Sequence, residues 1–118
     1  MTELPVRPLV AFLRAVAILA LDARHQLAWL GSLGLPGEPA LADELALEFD
    51  AGYRLLPQFI SNGWLQADVR ELLDAIDAAL ATMSEKENRD VWAVEALATD
   101  QRWEDVRGLA RSVLTSLQ

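Results

Sequence analysis

The chain contains no cysteine in its 118 residues. That excludes a disulfide framework, a thiolate nucleophile and a thiolate metal site, and it suits a reducing cytoplasm. Strand formers are scarce as well: valine, isoleucine and threonine number 15 together, against 22 leucines and 19 alanines. A chain so weighted towards helix formers is expected to be all-α. Long apolar runs are missing. The segment Pro8–Leu21 is split by Arg14 and followed by Asp22 and Arg24, short of the roughly 20 residues that cross a bilayer. Glu3 precedes it, where a signal peptide would carry basic residues. A buried first helix is expected, with no membrane role.

Catalytic and ligand motifs are also lacking. Gly31-Ser-Leu-Gly-Leu-Pro-Gly37 has neither the lysine nor the flanking strand of a phosphate-binding loop. There is no Asp-x-Asp-x-Asp-Gly calcium loop. The nearest approach to a di-metal Glu-x-x-His pair is Asp22-Ala-Arg-His25, in one copy, and His25 is the sole histidine. It has no cysteine partner, its nearest hydroxyl is Ser32, and a contact with a helix C-terminus is expected of it. No pair of carboxylates stands out as an acid and a base. The chain is therefore expected to be a non-enzyme without metal or cofactor.

What is present organises into helices. At 118 residues and 53% hydrophobic, residues 1–118 suit a single helical domain. A first helix is predicted from Pro8 to about Leu30, ending at Gly31, then a loop to Pro39. A second begins at Pro39 with the stripe Leu41, Leu45, Phe49, continued by Tyr53 and Leu56. Gly52 is a candidate break and Pro57 a stop or kink. Asn62-Gly63 closes a turn. The third helix, about Leu65 to Met83, is the clearest: Leu65, Val69, Leu72, Leu73, Ile76, Ala79, Leu80 and Met83 share one face. Ser84-Glu-Lys-Glu87 reads as a capping box opening a fourth helix, to about Leu97. Thr99 or Asp100 caps a fifth, whose seam is Trp103, Val106, Ala110, Val113 and Leu117. The expected architecture is a single compact bundle of four to five helices with a largely buried N-terminal helix.

Charge is distributed unevenly. The net charge is −8, but residues 1–37 carry +1, residues 38–77 carry −7 and the remainder −2. The acids of the middle third are Glu38 just ahead of the second helix, Asp43, Glu44, Glu48 and Asp50 on it, and Asp68, Glu71, Asp74 and Asp77 on the third, against Arg54 and Arg70 alone. Nucleic acid is disfavoured, because phosphate neutralisation needs clustered lysine and arginine. No helix has the basic polar face of a membrane-surface helix. A basic protein partner is the expectation, steered to one acidic patch on helices two and three. Tyr53 and Trp64 are the aromatic side chains placed to anchor it. The competing account is that each acid lies on a solvated face. Trp103, four residues before Arg107, is expected to pack with a cation–π contact. Arginine in place of lysine, with abundant alanine, hints at GC-rich bacterial coding.

In overall character, small, acidic, helical and free of cysteine, the chain is similar to colicin-type nuclease immunity proteins, a likeness of composition and not of motif. It implies a non-catalytic inhibitor that occludes a basic partner. The alternative class is a structural or scaffold protein whose surplus apolar surface is buried in a homodimer. A third is an enzyme or ligand-binding bundle with an apolar pocket between helices one and three.

Overall fold

The computed structural model describes residues 6–33 and 42–117. Glu38 and the predicted start at Pro39 lie outside the described residues. Helix α1 (Val6–Ala20) holds Pro8 in its first turn, where a missing N–H costs nothing. It buries Phe12, Ala15, Val16, Ile18 and Leu19. Its other face is open, with Val6 and Val10 59% and 57% exposed and Arg14 in solvent, so the helix expected to be largely buried is buried on one face only.

The predicted helix from Pro8 to Leu30 is two helices. Asp22 ends the first and caps α2 (Ala23–Ser32), its carboxylate accepting from the His25 N–H at 3.0 Å and facing Nδ1 of the same ring at 2.8 Å. His25 thus sits in a first turn, not at a helix C-terminus. The carbonyls released at the break find side-chain donors. Gln26 Nε2 donates to Ile18 O (3.2 Å) and Leu19 O (3.0 Å), and Arg111 Nε donates to Ala20 O (2.9 Å). Those donors make a sharp turn tolerable in a leucine- and alanine-rich stretch that would otherwise continue helically.

Helix α3 (Asp43–Tyr53) buries Leu45, Phe49 and Gly52. Gly52 does not break it. A Cβ at Gly52 would lie 2.5 Å from Phe12 Cβ and Cδ1, so this glycine lets α1 and α3 approach closely. Phe12 packs on Phe49 (5.5 Å between ring centroids) and on Phe59 (5.9 Å). The short α4 (Leu56–Ser61) begins at Pro57's first turn and closes at Gly63, φ +74°. There Trp64 N–H donates to Phe59 O and Gly63 N–H to Ile60 O, the paired bonds of a Schellman turn.

Helix α5 (Val69–Met83) follows its sequence stripe: Val69, Leu73, Ile76, Leu80 and Met83 are buried, as is Leu65 just ahead of it. The capping box does not form. Ser84 turns backwards, its Oγ donating to Leu80 O at 2.9 Å, while Asn88 Nδ2 and Trp92 Nε1 satisfy Thr82 O and Met83 O, each at 2.8 Å. With Ser84 spent on the helix behind it, the next stretch is a 3-10 helix (Lys86–Trp92) followed by one α-turn, α6 (Ala96–Thr99). Asp100 caps α7 (Gln101–Ser116), accepting from the Arg102 N–H at 2.9 Å. Trp103, Val106, Ala110 and Val113 form its buried seam; Leu117 is exposed and does not extend it.

Among the described residues every element is helical, seven α-helices and one 3-10 segment, and the expected count of four to five is too low because the predicted first and fourth helices are each divided and α4 forms a separate short helix after α3. The long helices stack in the order α3, α1, α7, α5, each packed on the next. The sequence is thus closed along three contacts, and α3 meets α5 only sparsely. Among the described residues no helix is long and apolar enough to cross a membrane.

Candidate functional site in the cleft between α3 and α5

The sparse meeting of α3 and α5 follows from their facing residues. The side of α3 turned to α5 carries Asp43, Ala46, Leu47 and Asp50; that of α5 carries Arg70, Asp77, Ala81 and, at its cap, Ser84. Small and charged side chains cannot interdigitate as the leucines and phenylalanines of the other faces do. A cleft remains along the whole of α3. Its widest part, about 550 Å³, lies between α3 and the 3-10 segment, lined by Asp43, Ala46, Leu47, Arg89 and Trp92; a middle section of about 250 Å³ between α3 and α5 has Phe49 and Leu80 among its lining residues; the far section, about 370 Å³, lies among Asp50, Tyr53, Arg54, Arg70 and Asp77. Leu47 is 56% exposed, an apolar side chain left in water between Asp43 and Asp50.

At the far section the two helices are tied once. Tyr53 Oη donates to Asp74 Oδ1 at 2.5 Å, and with partial burial this pushes the phenol up to about 12. Arg70 approaches Asp74 at 3.8 Å, and Arg54 pairs with Asp50 at 2.9 Å. Asp77 is different. It is half-buried, lines both the middle and far sections, and makes no ion pair or side-chain hydrogen bond among the described residues. Partial burial, and then the charges of Asp50 and Asp74, raise its pKa above the usual carboxylate value.

Of the nine acids expected to form one patch, eight lie among the described residues, and the fold sorts them. Asp50, Asp74 and Asp77 converge with Tyr53 where α3 meets α5, and Asp43 stands at the other end of the cleft. Glu44 and Glu48 occupy the opposite flank of α3, as one turn of 3.6 residues requires once Leu45 and Phe49 face α1. Asp68 and Glu71 lie at the start of α5 on its exposed sides, outside the cleft lining. Arg54 and Arg70 offset two of the three converging acids. Trp64 belongs to a different place. It stacks on Phe59 at 6.4 Å, the apolar contact that accompanies a Schellman turn, and borders a hollow shared with Ser116 and Leu117 of the α7 end.

Sequence reasoning missed Leu47, Ala46, Arg89 and Trp92 as cleft residues. Leu47 carried a signal: it lies four residues after Asp43 and three before Asp50, an apolar residue on a charged face. It also missed a buried polar network elsewhere. Arg107, 4% exposed, donates from Nε and Nη2 to Gln26 Oε1 (3.2 and 3.1 Å), from Nη2 to Leu97 O, and from Nη1 to Glu104 Oε2 (2.9 Å). The guanidinium is thus held by hydrogen bonds in place of the expected cation–π contact; Trp103 instead meets Trp92 edge-on at 5.6 Å and donates to Val91 O. Among the described residues no three histidine, aspartate or glutamate side chains converge to hold a metal ion. Compared with known proteins, the chain matches no family model, no curated protein and no solved structure.

Proposed function

We propose that this is a non-catalytic protein-binding domain that docks a basic partner on the α3–α5 face. The observation that carries the reading is Asp77: a half-buried carboxylate lining an open cleft beside Asp50 and Asp74, paired with no cation among the described residues while Arg54 and Arg70 are taken up by those two neighbours. A partner's guanidinium or ammonium there would relieve the repulsion and form a partly desolvated ion pair, the kind that governs dissociation as well as encounter. Leu47 and Trp92 supply apolar area beside it. The concrete form we favour is an inhibitor of the immunity or antitoxin kind, acting by covering a basic site. The working face is narrower than the composition suggests, because Glu44, Glu48, Asp68 and Glu71 lie outside the cleft.

The test is retention of a basic protein on the immobilised chain at about 50 mM salt, with release at about 500 mM, where screening shortens to a few ångströms. Replacing Asp50 and Asp77 together with lysine should slow association about tenfold or more, while Glu44→Lys with Glu48→Lys changes it less than about threefold. Equal effects of the two pairs would refute the cleft as the docking face. A second reading, a scaffold that homodimerises, draws support from Val6 and Val10 on the open face of α1. Light scattering decides it: the dimer reading requires a salt-insensitive mass near twice 13.0 kDa.

A further inference from the structure

We infer that Asn62-Gly63 is a deamidation site gated by the turn that closes α4: the amide survives while the turn is closed, and each opening exposes it to the backbone nitrogen that follows. This goes beyond the docking reading and does not rest on it. Asparagine is a labile side chain, most of all ahead of glycine, where no Cβ hinders the attacking nitrogen. The chain has two asparagines, Asn62 and Asn88, and only Asn62 precedes glycine. Asn62 and Gly63 are both exposed, and a Cβ on Gly63 would meet nothing within 4 Å, so neither burial nor crowding shields the pair.

Local geometry shields it instead. Deamidation forms a bond from Gly63 N to Asn62 Cγ and breaks the Cγ–Nδ2 bond; Gly63 N gives up its proton and Nδ2 leaves as ammonia. Water then opens the cyclic imide, either to aspartate or to the isomer whose backbone runs through the former side chain. The ring closes only when Gly63 N swings round beside Asn62 Cβ. Asn62 instead keeps φ −81° and ψ −1°, a helical conformation that holds this nitrogen away from its side chain. Both reacting groups are also engaged: Gly63 N–H donates to Ile60 O and Asn62 Nδ2 donates to Gln58 O, each at 2.9 Å. These bonds must break before the amide reacts.

The product does not rebuild the turn. The isomer adds a methylene to the backbone at residue 62, which puts the Gly63 and Trp64 N–H groups out of register with Ile60 O and Phe59 O and draws Trp64 from its stack on Phe59. The aspartate form loses the Nδ2 donor and sets a carboxylate against the last carbonyls of α4.

Two rates measured on the full-length chain at one pH test this. Peptide mapping follows deamidation at Asn62 in buffer and in concentrated urea, with circular dichroism confirming the folded and unfolded states, and NMR follows hydrogen exchange at the Gly63 amide in buffer. The unfolded chain should deamidate at least about tenfold faster than the folded one, and that ratio should match the exchange protection of the Gly63 amide within about threefold, because one opening frees the same nitrogen for both reactions. Equal deamidation in buffer and urea overturns the gate, and an unreactive Asn62 in urea overturns the site. Deamidation of the folded chain about tenfold faster than Gly63 exchange allows would mean that the ring closes inside the intact turn; about tenfold slower would mean that a larger unfolding is the gate; either result overturns the inference.

Discussion

Arg107 and Asp77 are both charged side chains drawn partly or wholly out of water, and the molecule treats them in opposite ways. Arg107, between α2, α6 and α7, is surrounded by acceptors: Gln26 Oε1, Leu97 O and Glu104. Gln26 in turn donates to the last carbonyls of α1, so the whole region closes on itself. Asp77, between α3 and α5, has Asp50 and Asp74 for neighbours, and the arginines nearby, Arg54 and Arg70, pair with those two and not with it. A buried charge that lacked partners in Arg107's place would oppose folding by several kcal/mol, so that site is fixed by stability. Asp77 keeps enough contact with water for its mismatch to be tolerated, and tolerated mismatch at an open surface is where a partner has something to improve.

Each side of this contrast can be broken. The largest effect belongs to Arg107. Arg107→Met leaves Gln26 Oε1 and Leu97 O without their donor inside the fold, and urea unfolding should show a loss of about 3 kcal/mol. Combined with Gln26→Leu, the cost should be less than the sum of the two single changes, because the glutamine no longer presents an unmet acceptor. A loss under about 1 kcal/mol for Arg107→Met would remove the distinction between the two regions.

Next in size is Gly52→Ala. The added Cβ meets Phe12, and overpacking of about 2–3 kcal/mol outweighs the roughly 1 kcal/mol that alanine gains over glycine in a helix. A net loss of about 1–2 kcal/mol is expected, measured by the same unfolding curve. If the variant is more stable than the parent, the α1–α3 approach is looser than described.

Asp100 gives a pH signature. Its carboxylate is held down to about 2, chiefly by the Arg102 guanidinium, with the capped N–H adding to it. The folded pKa lies below the ordinary 3.8, so its contribution is present above that pH and is lost as the pH falls through about 2. Asp100→Ala should cost about 1 kcal/mol at pH 7. Asp100→Asn, which still caps, should lose less at pH 7 and show a shallower fall in stability between pH 4 and pH 2.

The smallest effect, and opposite in sign, belongs to Asp77. Its folded pKa is raised, so the folded form binds the proton more readily than the unfolded chain, and the charged carboxylate detracts from stability once the pH rises through that raised value. Asp77→Asn should therefore increase stability at pH 7, by no more than about 0.5 kcal/mol, and the gain should vanish below pH 3.8. A destabilised Asn variant would mean that Asp77 is serving the fold after all.

The parts of this molecule legible in the sequence are those set by local periodicity and by caps next in the chain. The α5 stripe from Val69 to Met83, the α7 seam from Trp103 to Val113, the Asn62-Gly63 turn and the Asp100 cap are of this kind. The break at Asp22 was not, because the donors that satisfy the freed carbonyls come partly from Arg111, 91 residues from Ala20. The role of Ser84 is ambiguous in the sequence because a serine hydroxyl can accept from N–H groups ahead of it or donate to carbonyls behind it, and only the fold selects Leu80 O. The acidic cluster was visible as composition, but a helix wheel without neighbours does not say which flank of α3 faces α5. That is why Asp50 and Asp77 meet in the cleft while Glu44 and Glu48 do not.

Chemical-shift mapping of the isotopically labelled chain with an arginine-rich peptide tests the docking reading most directly. The expected result is a set of perturbations confined to Ala46, Leu47, Asp50, Asp77, Ala81 and the Trp92 indole, with Arg107 and Gln26 unmoved. Perturbations centred instead on Glu44, Glu48 and Val10, or on Trp64, would contradict it.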